Sequence, residues 1–326
     1  MGQGYIIFKD MFEIQRKYLD DIEVISIVNR DTEEYVSIIP SFGGNINELV
    51  LSKNGTRYSV IAGDRYADSL RGMNENVYRG AKLSPFPNRI NQGEYIFHSK
   101  KYSLNKNDNG KHALHGLIWN KPFEILSEDI SAYNATLLVA YVYEGTEDGY
   151  PFHFQIQIEY QLNYNGFTCR TEIVNKSDVS IPVADGWHPY ISLGKEIDGF
   201  KLKLPSSKRL EADSGLIPTG NSVEYNRFIE TAYIGDTVMD SCFELNAVEG
   251  KAETVLADDD RNIHIILWQE TNTKGYNYVH IYTPLDRQSI AIEPMSCAPD
   301  AFNNGKGLIE LQPEEQVSFT FGISVE

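Results

Sequence analysis

Four segments place ionisable groups beside Gly, Pro or aromatic residues in ways that ordinary strand packing does not require. In ADGWHPYISLG, residues 184–194, His188 stands between Trp187 and Pro189. If this stretch is a strand, Trp187 points to one face and Gly186 and His188 to the other, so the imidazole faces room left by the glycine. Trp187 then packs in the core or, where the strand bends before Pro189, stacks on a bound ligand. In SIAIEPMSCAPDAFN, Ile290 and Ile292 share one face and Ala291 and Glu293 the other, so Glu293 ends a strand beside a small residue and Pro294 stops the pairing. A carboxylate and an imidazole aimed at one cavity could act on a substrate as base and acid. The competing readings are a hydrogen-bonded core histidine and a solvated charge at a strand end.

The other two segments offer binding groups. KLSPFPNRINQGEYIF delivers Asn88 and Arg89 after two prolines that disrupt regular pairing. Arg89 could present a fixed fork of donors to a hydroxylated ligand, or bridge a surface loop. HALHGLIWNKPFEI carries His112 and His115. Two imidazoles with no Cys or carboxylate at ligand spacing are a weak zinc pattern, and no metal is expected. His115 beside Gly116, which permits close approach, reads better as a hydrogen-bonding group. No G-x-S-x-G elbow is present for a serine nucleophile. SFGGNINEL lacks both the G-x-G-x-x-G spacing and a following helix, so it reads as a strand turn and not as a phosphate cradle.

These groups must be positioned by strands, because strand signals recur almost without pause. In FHFQIQIEYQL, Phe152, Phe154, Ile156, Ile158, Tyr160 and Leu162 alternate with polar residues, the period of a sheet with one buried face. NYNG then turns the chain into FTCRTEIVN, with Asn165-Gly166 expected to supply the positive φ angles of a tight hairpin. Further strands are expected in EYVSIIP, EYIFHSKKYSL, ATLLVAYVY, FKLKL, IHIILWQE, NYVHIYTP, QSIAIEP and EQVSFTFGISV. FKDMFEIQRKYLDDI, residues 8–22, is the one stretch with the spacing of a short helix. No linker, charge block or repeat divides the chain. The expectation is all-β: a single domain over residues 1–326, built as a large antiparallel β-sandwich.

Composition narrows the function classes. The 326 residues carry a formal net charge of -17, which argues against nucleic acid and against anionic membrane surfaces as partners. Three widely spaced cysteines, Cys169, Cys242 and Cys297, suggest buried thiols and no disulfide framework. The N-terminal residues lack the long apolar region of a signal peptide, Ile6 stands where a myristoylation signal needs Ser or Thr, and no apolar run reaches the ~20 residues of a membrane helix. A cytoplasmic location is expected.

Taken in order, the segments resemble the aldose 1-epimerase (galactose mutarotase) family. The resemblance rests on NRI with a following GEYIF, LHG with a downstream aromatic, DGYPF at residues 148–152, HPYISL, DSCFEL and the late IEP, and runs from about residue 43 to residue 303. It implies a supersandwich whose concave sheet face holds one sugar and whose chemistry needs no cofactor. By this resemblance Glu293 is the catalytic base and His188 the catalytic acid, while Arg89, His115 and Asp240 bind the sugar. Asn88 joins Arg89 as a binding group, and an aromatic platform is expected from Trp187, Trp119 or Trp268. Two departures stand out: Leu117 follows His115-Gly116 where many members have a second Gly, and Ile191-Ser192 replace the Phe-Asn of galactose-type members.

The implied activity is interconversion of the α and β anomers of a free aldohexose, with a small-molecule sugar as partner and the chain a monomer or weak homodimer. The pair needs a charged His188 beside Glu293, a state that their mutual attraction favours. Two alternatives share the fold. A hexose 6-phosphate mutarotase would need a further cationic cluster for the dianion. A non-catalytic carbohydrate-binding protein would have no need of both His188 and Glu293.

Overall fold

The structure, a computed structural model, describes residues 11–61, 63–72, 78–246 and 248–326. Two antiparallel sheets dominate it, one of 13 strands and one of nine. The nine-stranded sheet shows how the sequence dictates its strands. In His153–Asn163 the alternate residues Phe154, Ile156, Ile158, Tyr160 and Leu162 are buried while their neighbours are half-buried, and this apolar face packs into a core shared with Ile25, Ile27, Val36 and Ile38 of the other sheet. The hairpin follows as expected, but Asn163 pairs with Gly166, so Tyr164 and Asn165 form the loop. Gly166 takes a φ of 115° and Asn165 has no positive φ.

Two expectations are corrected. Residues 12–19 form the edge strand Phe12–Leu19, paired along its length with Ile22–Asn29, and not a helix; residues 1–10, including the start of that stretch and the N-terminal signals, lie outside the described residues. Its neighbour is rich in β-branched residues, and pairing with it outweighs a marginal local preference. Pro294 does not stop its strand: Ile290–Met295 continues to Met295, which pairs with both Tyr278 and Gly186. The paired glycines Gly43 and Gly44 do form a turn, with φ of 72° and 65°.

In the large sheet the strands Tyr190–Ile191, Ile290–Met295, Tyr278–Tyr282 and Asp240–Glu244 are consecutive neighbours. Beside them a two-stranded ribbon, Arg89–Ile90 with Ala113–Leu114, brings Asn88 and His115 against the sheet. The corner of this ribbon depends on left-handed backbone at Asn88, His115 and Gly116. At Gly116, with φ of 74°, an added Cβ would collide with the Ser84 carbonyl oxygen, which also accepts the Leu117 amide proton. Gly110 has nearly the same φ, 73°, with open space around it. Gly110→Ala is therefore expected to cost about 1 kcal/mol of stability, and Gly116→Ala about 2 kcal/mol more because the backbone itself must move. Paired urea or thermal melts of the two variants measure the difference.

Candidate active site

His188 sits at a break in the ladder. Gly186–Trp187 pairs with Met295 on one side and with Lys82–Leu83 on the other, and Tyr190–Ile191 rejoins Ile290–Met295 two residues later. Between them the His188 amide donates to the Ala81 carbonyl at 3.1 Å, and the His188 carbonyl accepts from Gly80 at 3.0 Å. The backbone is thus satisfied while the side chain is freed from cross-strand packing. Gly186 does not leave the expected open room: Pro87 fills it, at 2.9 Å from where a Cβ would stand.

The alternation expected of this segment holds, and it removes Trp187 from the site. Trp187 is fully buried, with its ring against Tyr160 and Phe321 and its Nε1 3.4 Å from Thr171 Oγ1. His188 points the opposite way. Neither of the other tryptophans supplies a platform. Trp119 packs behind Tyr78, and Trp268 lies on the other sheet beneath the Lys251 ammonium.

The other expected residues do converge. Asn88, Arg89, His115, His188, Asp240 and Glu293 all line one pocket of about 230 Å³, smaller than the roughly 300–1,000 Å³ of sites for drug-sized ligands and suited to one small molecule. His112 is elsewhere, its Nδ1 accepting the Gln92 amide proton at 3.1 Å, so the two imidazoles of the 112–115 pair do not converge. Sequence reasoning missed Tyr78, Asp108, Leu114, Tyr190, His280 and Tyr282, which complete the wall. Three tyrosines thus take the place of the expected tryptophan.

The polar groups hold one another in place. Arg89 donates from Nε to Asp108 Oδ2 at 2.8 Å, and its backbone amide donates to Asn88 Oδ1 at 2.9 Å. The Asn88 amide donates to His115 Nδ1 at 3.3 Å, which places the proton of a neutral His115 on Nε2. Burial, with His188 and Arg89 nearby, holds that imidazole well below its ordinary pKa. His280 Nε2 lies 2.7 Å from Asp240 Oδ1.

At the floor, His188 Nε2 is 3.4 Å from Glu293 Oε1, and the His188 ring stacks on Tyr190 with centroids 4.9 Å apart. Glu293 is 1% exposed and His188 4%. Glu293 Oε2 and His188 Nδ1 are both buried and have no hydrogen-bond partner among the described residues. Burial pushes Glu293 up to about 7 against the pull of His280 and Arg89. It pushes His188 down to about 3, helped by His280. The expected attraction of the pair therefore does not keep His188 charged; desolvation of two groups in one small volume outweighs it. A carboxyl that titrates near neutrality beside a neutral imidazole is suited to proton exchange with a bound molecule.

An antiparallel two-sheet sandwich here sets a buried carboxyl and imidazole at the floor of a small polar pocket, groups that can exchange protons with a small molecule. The chain belongs to the aldose 1-epimerase family, whose family model matches residues 24–324, and this places it among the isomerases. Its relatives include YihR of Escherichia coli strain K12, an uncharacterised protein, 28% identical over 256 residues that cover 76% of this chain and 79% of YihR. An aldose 1-epimerase of Streptococcus thermophilus is 28% identical over 226 residues, covering 65% of this chain and 60% of that protein. The fold is shared with a galactose mutarotase-like protein of Clostridium acetobutylicum, at TM-score 0.85 and 21% identity over 98% of this chain and 99% of that one. It is also shared with galactose 1-epimerase of Lactobacillus acidophilus, at TM-score 0.78 and 16% identity over 97% and 98% of the two chains. No helix among the described residues is long and apolar enough to cross a membrane.

The raised proton affinity of Glu293 has a consequence for stability. Its folded pKa, about 7, lies above the ordinary 4.5, so the folded state holds this proton more tightly than the unfolded one. The stabilisation is fully present below pH 4.5 and is lost as pH rises through 7. The difference corresponds to roughly 3 kcal/mol. Glu293→Gln, which mimics the protonated form, is expected to raise the melting temperature at pH 8 and to leave it nearly unchanged at pH 5, as differential scanning calorimetry at the two pH values can check.

Proposed function

We propose that this protein is a mutarotase that interconverts the α and β anomers of a free aldohexose. The observation that carries the reading is a buried carboxyl and imidazole in contact at the floor of the pocket, His188 Nε2 3.4 Å from Glu293 Oε1, each with a further polar atom, Glu293 Oε2 and His188 Nδ1, that has no hydrogen-bond partner among the described residues. Buried polar atoms are almost always satisfied, and a sugar's anomeric hydroxyl and ring oxygen offer the donor and acceptor such a pair lacks. Family membership supplies the reaction class.

In this reading Glu293 takes the proton from the anomeric hydroxyl O1 while His188 gives one to the ring oxygen O5. The C1–O5 bond breaks, C1–O1 becomes the carbonyl, and rotation about C1–C2 exposes the other face. O5 then attacks that face, and the two residues exchange roles. Arg89, His115, Asn88 and the outer oxygen of Asp240 bind hydroxyls and limit wasted ring motion. Tyr78, Tyr190 and Tyr282 replace tryptophan as the apolar walls. The lining also disfavours a 6-phosphate: Arg89 is shared with Asp108, and Asp240 and Glu293 add negative charge.

Polarimetry on freshly dissolved α-D-glucose and α-D-galactose tests the reading. Wild type is expected to speed relaxation, hexose 6-phosphates to compete poorly, and Glu293→Gln to lose about 10²- to 10⁴-fold in kcat while still binding sugar. Absence of activity on every aldose tested would favour a binding protein instead.

The proton count of the pair gives a second test. Glu293 as base and His188 as acid need one proton between them, which the pair holds between the two values of about 3 and about 7. Above 7 the carboxylate can still accept but the imidazole has no proton to give. The expected kcat/KM is therefore level between about 3 and about 7 and falls about tenfold per pH unit above 7. A profile that rises through 7 would place the proton donor on a residue other than His188.

A further inference from the structure

His280 is a third imidazole of the pocket, outside the pair that exchanges protons with the substrate. It lies on Tyr278–Tyr282 directly opposite Glu293 on Ile290–Met295. Residues paired in this way project to the same face with Cβ atoms about 4.5–5.5 Å apart. On its other side Nε2 meets Asp240 Oδ1 at 2.7 Å, the short distance of a charge-assisted hydrogen bond. Its Nδ1 lies 3.5 Å from Asn88 Nδ2, at the outer limit of a hydrogen bond; that amide nitrogen can only donate, so a doubly protonated His280 forgoes this weak contact and keeps the shorter one to Asp240. The ring is 5% exposed.

We propose that His280 is a positioning residue of this site: a positively charged imidazole, clamped by Asp240, that faces Glu293 across one strand pair and favours the carboxylate form of the base against the burial that protonates it. A carboxylate buried this deeply needs a cation nearby to remain ionised in the range where an enzyme works. The other groups facing Glu293 do not replace His280. Burial keeps the Cys242 thiol and the Tyr190 phenol protonated. His188 is held neutral by its own burial, and the charge of Arg89 is shared with Asp108. Asp240, one strand beyond His280, is an anion that pushes Glu293 upward, and His280 is the first of the charges that pull against it.

The electrostatics agree with the geometry. Burial opposes a charged His280, but Glu293 and the Asp240 hydrogen bond outweigh it and raise its pKa above the ordinary imidazole value. Burial would likewise raise Asp240, yet the hydrogen bond from His280 holds it below the ordinary carboxylate value. Asp240, His280 and Glu293 thus form a line of alternating charge over three neighbouring strands, and Asp240 serves His280 as well as the sugar.

The catalytic consequence rests on the mutarotase reading, whereas the charge arrangement does not, and the experiment separates them. In wild type, the 15N resonances of His280 are expected to titrate above about 6.5; titration below that value overturns the proposal. In the second arm the Glu293 side-chain carboxyl is followed by 13C NMR, its resonance identified by its loss in Glu293→Gln. In His280→Gln its midpoint is expected to move up by at least about one pH unit, as an opposite charge at this range typically shifts a carboxyl by about 1–3 units. His280→Lys, which restores a cation, returns it toward the wild-type value. The inflection of kcat/KM near 7 should move in parallel. An unmoved midpoint, with kcat/KM lowered equally at every pH, would make His280 merely structural and overturn the proposal. If wild type shows no mutarotation of any aldose, the reaction reading fails, and the NMR titrations still decide His280.

Discussion

The site depends on one carboxylate kept out of water in the middle of a sheet. Glu293 is paired on one side with His280 and lies, on the other, against the gap at His188, where the ladder is interrupted although the Pro189 carbonyl still accepts from the Ile292 amide. Both features follow from register. Ile290 and Ile292 face the core, which obliges Ala291 and Glu293 to face the pocket, and the antiparallel pairing then places His280 beside Glu293 and Tyr282 beside Ala291. A one-residue slip would send Glu293 into the core and two isoleucines into the pocket. The packing of the sandwich and the placement of its chemistry are therefore the same constraint.

The same logic accounts for the break at His188. A regular strand would pair its residues 188 and 189 with Ile290–Met295, but Pro189 has no amide proton to contribute, and Pro294 lacks one on the facing strand. The two prolines coincide with the interruption. The backbone of His188 turns instead to Gly80 and Ala81. What is lost in ladder hydrogen bonds is recovered there, and the imidazole is left with a buried Nδ1 that no described residue satisfies.

Much of this was legible in the sequence. The two-residue period identified the strands, and the directions of Trp187, His188, Ala291 and Glu293 followed from it. The binding residues Asn88, Arg89 and His115 were also in reach, because Gly and Pro neighbours marked them, and Asp240 followed from the family resemblance alone. What failed depended on facts beyond the local pattern. The face opposite His188 is the core, so Trp187 could not also serve the pocket, and the space beside Gly186 is filled by Pro87, a residue distant in sequence. His280 was passed over because NYVHIYTP reads as an ordinary buried strand. A signal was present: the short TPLDRQS connection to QSIAIEP marks a hairpin, and counting back from its turn sets His280 opposite Glu293. The tyrosine walls had no such marker, since 20 tyrosines are spread along the chain.

Behind the pocket the core carries its own buried charge. Lys82 and Asp185 are fully buried and hydrogen-bonded to one another; Lys82 also donates to Thr171 Oγ1 at 3.0 Å and lies over the Trp187 ring, and Tyr276 donates to Asp185 Oδ2 at 2.7 Å. Burial lowers the pKa of Lys82 and raises that of Asp185, so this pair adds little net stability over an apolar one of the same volume. Its value is directional. Thr171 belongs to the nine-stranded sheet, while Lys82 and Trp187 belong to the other, so the cluster fixes how Gly186–Trp187 sits between the sheets. Because Trp187 and His188 are adjacent and opposed, an orientation imposed on the indole by the core is imposed on the imidazole in the pocket. The floor of the site is thereby held from the core side by ionic and aromatic contacts, and from the sheet side by the register that sets His280 against Glu293.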